Sequence, residues 1–117
     1  MKYQFIDPDK ISDMLFHDME YVAEFCEAGI ISFDEFIENF RTHLLDRNME
    51  DLRKAGHKIK PGAQMMGAHE VVEKYEHAKT LLNDEADEEE LVETADAMQQ
   101  ICDTIKEELL KLAKEEN

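Results

Sequence analysis

The chain has 117 residues, 43% of them apolar and 36% charged, which is long enough to bury a core and too apolar for disorder. With 29 acidic side chains against 13 Lys and Arg, its net charge of −16 repels phosphate backbones and anionic lipid headgroups. Nucleic acid and membrane surfaces are thereby excluded as expected partners. Four Gly, two Pro and no Trp, amid abundant helix-forming side chains, argue for helices and against a many-stranded sandwich or barrel.

The expected elements, in chain order, are five helices. Asp7-Pro8 offers a cap followed by proline at the first helical position. From there Ile11, Met14, Leu15, Val22 and Phe25 keep a helical period until Gly29, which is expected to stop the first helix. Ser32 with Glu35 reads as a capping box for the second, with Ile31 and Phe36 as its hydrophobic staple. Phe33, Phe36, Ile37, Phe40 and Leu44 form that helix's apolar stripe. Asn48 caps a third helix that runs past His57 toward Gly67. The fourth turns Val71, Val72, Tyr75, Ala78 and Leu82 inward. Asp87 and Glu90 imitate a capping box for the last, where Leu91, Ala95, Met98, Cys102, Ile105, Leu109 and Leu112 step in alternating fours and threes, a bundle seam. Short connections make neighbours antiparallel. The expected fold is all-α: an antiparallel up-down four-helix bundle with an additional N-terminal helix, one domain over residues 1–117.

No apolar run approaches the ~20 residues that span a bilayer, and the start MKYQFIDPDK lacks the apolar stretch of a signal peptide. Cys26 and Cys102 lie far apart on apolar faces without metal-ligand spacing, as reduced core thiols of a cytoplasmic protein would. Five histidines in a bundle raise the question of a di-iron or oxygen-binding centre. That chemistry needs Glu-x-x-His pairs aimed inward, and none occurs. His69, Glu73 and His77 line up one turn apart but opposite their helix's core stripe, His17 sits off its stripe, and His43 borders the core. No metal site is expected.

The third helix carries the unusual chemistry. Leu52, Ala55, Gly56, Ile59, Ala63 and Met66 share one direction, and His57 falls about 140° away from it, with Arg53, Lys60 and Gln64 on its side. Arg53, Lys54, Lys58 and Lys60, four of the chain's 13 cations, surround one imidazole in an acidic protein. Like charge favours the neutral, nucleophilic ring, and the same cations can hold a phosphoryl group. Pro61 removes the donor to the His57 carbonyl and is expected to kink the helix, at about 3 kcal/mol in an ordinary interior. Gly56 and Gly62 trim side-chain bulk around the same turn. These features describe a histidine made approachable by another protein.

The stretch from Ala55 to Ala68, AGHKIKPGAQMMGA, resembles the signature of histidine-containing phosphotransfer (HPt) domains. His57, Lys60 and Gly67 fill its histidine, lysine and final glycine positions, and the bundle pattern extends the resemblance over residues 10–115. Pro61 stands where that family usually has glycine, and Gln64 where a small residue often lies. The resemblance implies a phosphorelay intermediate of two-component signalling. His57 would take a phosphoryl group from a receiver-domain aspartate and pass it to another receiver, with Lys60 offsetting its charge. Arg53, Lys58, Gln64 and Gly67 would complete the binding surface, and Glu76 is the candidate to orient the imidazole. The expected partners are receiver domains of a hybrid histidine kinase and a downstream regulator. They bring their own Mg²⁺, so no cofactor is expected in this chain. The carrier would be monomeric, without turnover of its own. The opening Met and one-domain length fit a free-standing relay, and a piece excised from a kinase is the alternative. The rival function is an interaction module that binds signalling partners without accepting phosphate.

Overall fold

A computed structural model describes residues 3–116. It contains five helices and, among the described residues, no strand: α1 (Pro8–Met14), α2 (Met19–Leu45), α3 (Met49–Met65), α4 (His69–Asn83) and α5 (Glu88–Glu116). Helix α5 rises about 43 Å at 1.5 Å per residue, nearly the full 46 Å of the longest axis. The other helices pack along this rod. Contacts run from α2 to α3, α3 to α4, α4 to α5 and α5 back to α2, which closes a four-helix ring. Short turns set the directions. Residues 46–48 return the chain from α2 into α3, and Lys58 pairs with Glu35 while Met66 lies beside Gly29, an antiparallel register.

The α5 seam is buried as its spacing requires, from Leu91 through Met98 and Leu109 to Leu112. Facing it, Phe33, Phe36 and Phe40 of α2 form an aromatic ladder with ring centroids 6.5 and 5.5 Å apart. On α4 the buried set is Val71, Tyr75, Ala78 and Leu81, whereas Val72 and Leu82, both expected inward, are half-buried at the rim. Asp87 accepts from the Glu90 amide, forming the cap half of the expected box. Cys26 and Cys102 are buried without a disulfide. Burial pushes the Cys102 thiol up to about 12, so it stays protonated. Among the described residues no helix is long and apolar enough to cross a membrane.

The N-terminal half departs from expectation. Gly29 does not stop a helix: α2 runs through it for 27 residues, and Ser32 and Ile31 are exposed mid-helix positions instead of a cap and a staple. A Cβ at Gly29 would lie 3.1 Å from Leu109 Cδ1, so that glycine serves close approach of α2 to α5. The break comes earlier. Phe16 and His17 both take a left-handed φ of 58°, and Asp18 then caps α2 by accepting from the Tyr21 amide. The additional N-terminal helix is therefore seven residues long. The segment before it is tied down by Glu108, a carboxylate 3% exposed that accepts the backbone N–H groups of Gln4, Phe5 and Ile6. Those three donors are what make a buried carboxylate tolerable.

Candidate functional site

Helix α3 begins at Asn48, whose side chain accepts from the Asp51 amide, and continues through Pro61 to Met65. Proline has no N–H to give, so the His57 carbonyl four residues earlier loses its usual i+4 donor. At its far end the helix closes in a Schellman motif. Ala68 donates to the Ala63 carbonyl at 2.8 Å and Gly67 to Gln64 at 3.2 Å, with Gly67 at φ 75°. Two groups from the N-terminal region seal this end: the Asp7 amide donates to the Met66 carbonyl, and Lys10 Nζ donates to the Gln64 carbonyl. A lysine at a helix C-terminus also complements the dipole. Gly67 thus lies about 15 Å along the axis from His57, where it stops the helix.

Midway along α3, Leu52, Ala55, Gly56, Ile59 and Ala63 face the core and His57 faces out. Among the described residues no hydrogen bond or ion pair engages the His57 ring. At about 100° per residue, Arg53 and Gln64 share its outward ridge, Lys60 leans toward α4 and Lys58 toward α2. The lysines differ in their partners. Lys58 is paired with Glu35 across the α2–α3 groove, and Lys54 with Glu50 and Asp51 along its own helix. Arg53 is exposed and has no carboxylate partner among the described residues. Lys60, 41% exposed, lies 3.8 Å from Glu76. Of the cations expected at the site, Lys54, Lys58 and Lys60 each face a carboxylate, and among the described residues Arg53 alone does not.

Glu76 does not hold the imidazole. Its Oε1 faces Lys60 and its Oε2 lies 3.0 Å from Lys79, and it makes no hydrogen bond to His57. Lys79 in turn sits 4.7 Å from the centroid of the Tyr75 ring, a cation–π contact. The Tyr75 ring is 4% exposed and lies against Gly56: a Cβ there would be 2.0 Å from Tyr75 Cζ and 2.5 Å from its hydroxyl. So Gly56 exists for the α3–α4 crossing, immediately beside the histidine, and not to expose the ring as its flanking position suggests. Burial raises the Tyr75 hydroxyl above its ordinary range, with Arg53 and Lys79 pulling the other way. Gly62 has open space around it, as expected of trimmed bulk.

Two residues of this neighbourhood escaped the sequence. Tyr75 reads as plain core, and Lys79 lies outside the AGHKIKPGAQMMGA stretch. The available signal was Gly56 itself, a glycine at a core position of a helix, which marks a bulky neighbour from the next element.

The other histidines stand apart. His17 sits in the α1–α2 connection against Ser12 and Asp13, both at 3.0 Å, His69 and His77 are exposed on α4, and His43 is half-buried in the last turn of α2. Among the described residues no group of three or more His, Cys, Asp and Glu side chains is placed to hold a metal.

Comparison with known proteins adds one finding. The family model described as Hpt domain matches residues 20–114. No curated protein and no solved structure matches the chain.

Proposed function

The chain belongs to the Hpt domain family and is a histidine phosphotransfer module of two-component signalling, and from that premise we propose that His57 is its phosphoryl carrier. The observation that carries this reading is an imidazole in mid-α3 that faces solvent, has no protein partner among the described residues, and lies within a turn of Arg53 and Lys60. A ring held by nothing is free to meet a reagent brought by another protein.

The step is in-line transfer from an aspartyl phosphate. The Nε2 lone pair attacks phosphorus, the N–P bond forms as the P–O bond breaks, and the electron pair leaves with the aspartate carboxylate. Nδ1 keeps its proton, so charge balances. Positioning and electrostatics supply the catalysis, with little covalent work for the protein. Lys60 and Arg53 offset the charge spread over the phosphoryl oxygens. The reverse reaction on a second receiver returns the ring to its starting state, so the chain carries without turning over. The receivers bring the acidic pocket and its divalent cation, and this chain brings the imidazole and its cations. The proposed setting is the cytoplasm.

The docking surface we assign is the His57 ridge of α3 with the adjoining face of α2. Ile31, one turn before Glu35 on that face, is 68% exposed, and Met65, two turns beyond Lys58, is 41% exposed. Exposed apolar side chains flanking a charged centre suit a protein partner, which can desolvate them as the histidine is reached. The test is labelling by a phosphorylated receiver. Acid-labile, base-stable phosphate on the wild type and none on His57→Gln is the expected result, and binding without labelling would establish the interaction-module reading instead.

A further inference from the structure

Glu76 is the acidic side chain seated between Lys60 and Lys79 on the α4 side of His57, and a carboxylate there opposes the arrival of a phosphoryl group. Its placement is nonetheless specific. Each of its two oxygens faces a different lysine, Lys60 from α3 at 3.8 Å and Lys79 from its own helix at 3.0 Å. Lys79 is fixed further by the Tyr75 ring, which Gly56 admits against the histidine's own turn. The three side chains that close this arrangement are bound to each other and none to the imidazole.

We propose that Glu76 is a resident counter-ion that bridges Lys60 and Lys79 while His57 is free and yields both lysines to the phosphoryl group once His57 carries it. This rests on His57 being the carrier.

Charge arithmetic supports the exchange. Arg53, Lys60 and Lys79 carry three positive charges and Glu76 one negative, leaving two in excess. A phosphoryl dianion matches that excess, and it competes with a monoanion for the same ammonium groups. Glu76 can give way because its side chain is 48% exposed and its release leads into water. Until transfer the carboxylate holds two long lysine side chains near the place they are needed, and once the phosphoryl group arrives its competition for them outweighs that ordering. Lys79 thereby becomes a second positioning cation, although it lies on a different helix from His57 and outside the AGHKIKPGAQMMGA stretch.

The equilibrium of phosphotransfer is the quantity to measure, since, unlike the rate, it does not depend on how the two proteins dock. One purified receiver, phosphorylated on its aspartate, is equilibrated with wild type, Glu76→Gln, Lys79→Ala and Lys79→Ala/Glu76→Gln, and the phosphorylated fractions are separated on phosphate-affinity gels. Removing a negative charge beside the phosphoryl group should move the equilibrium toward His57, on the order of fivefold at a partly exposed site. Lys79→Ala should move it several-fold the other way. The gain from Glu76→Gln should shrink in the Lys79→Ala background, because the two act on one another. Thermal midpoints of Glu76→Gln and wild type should agree, separating charge from folding. An unchanged or lowered equilibrium for Glu76→Gln, with the wild type labelled, overturns the counter-ion role and leaves the carrier reading intact. A slower approach to an unchanged equilibrium would make Glu76 a kinetic helper and equally overturn it. A wild type that takes no label on His57 removes both.

Discussion

Two glycines of α3 should respond to the same substitution with opposite signs. Alanine exceeds glycine in helix propensity by about 1 kcal/mol, so Gly→Ala in a helix interior stabilises wherever there is room. Gly62 has nothing within 4 Å of its virtual Cβ, and Gly62→Ala should gain about 0.5–1 kcal/mol. At Gly56 the added methyl would sit 2.0, 2.3 and 2.5 Å from Tyr75 Cζ, Cε1 and Oη, distances no real contact sustains. The ring must swing out of a site where it is 4% exposed, or the helices must part. Overpacking of this kind costs about 1–3 kcal/mol, and partial loss of ring burial adds to it. After the propensity gain, Gly56→Ala should be destabilised by about 1–2 kcal/mol, a fall in Tm of roughly 3–10 °C at this chain length. Urea and thermal unfolding measure both variants. A Tyr75→Leu background, which removes Cζ and the hydroxyl, should make Gly56→Ala neutral or stabilising, a coupling that a double-mutant cycle isolates. If Gly56→Ala stabilises the wild type as Gly62→Ala does, the account of the α3–α4 crossing is wrong.

Lys60→Ala should slow phosphoryl transfer in a timed labelling assay while stability stays within about ±0.5 kcal/mol, since Lys60 is half-exposed and its ion pair is long. A folded variant with unchanged rate would remove its role. Arg53→Glu should slow association with a receiver by stopped flow, and Lys114→Glu, near the end of α5, should do little at the same ionic strength. Equal losses from both would mean that only net charge matters. Cys102 should resist a thiol reagent in the native chain at about pH 8.5 and react on unfolding, because burial keeps its thiol protonated. The fold binds that proton more tightly than the unfolded chain does. Its contribution is therefore complete below the ordinary 9.0 and declines as pH climbs toward about 12. Lys106, raised chiefly by its hydrogen bond to Asp34, has the same sign, so the urea midpoint should fall on the alkaline side. A midpoint that rises there contradicts both.

What could be foreseen depended on whether a feature was periodic or a matter of contact. The α5 seam and the outward ridge of α3 repeat at helical spacing, and every apolar residue assigned to the seam is buried. The short connections then fix antiparallel neighbours. Gly29 shows the opposite case, since a glycine at a helix stop and one at a close crossing look alike in sequence, and only Leu109 distinguishes them. The true break fell at Phe16 and His17, neither of them the glycine that marks a left-handed turn, and its one written sign was the cap at Asp18. Glu108 reads as one more solvated acid until the backbone of Gln4 to Ile6 is laid over it. At the site, His57, Arg53 and Lys60 were legible because they share one helix. The arrangement of Glu76, Lys79 and Tyr75 was not, because it depends on how α4 crosses α3 at Gly56.

The most direct test of the account is the chemistry of one nitrogen. The purified chain is incubated with a phosphorylated receiver, digested, and the phosphate mapped by mass spectrometry under alkaline conditions that preserve phosphohistidine. The account predicts a single phosphorylated site at His57 and complete loss of label in a folded His57→Gln variant. Label that persists in that variant, or that maps to His17, His43, His69 or His77, would contradict it.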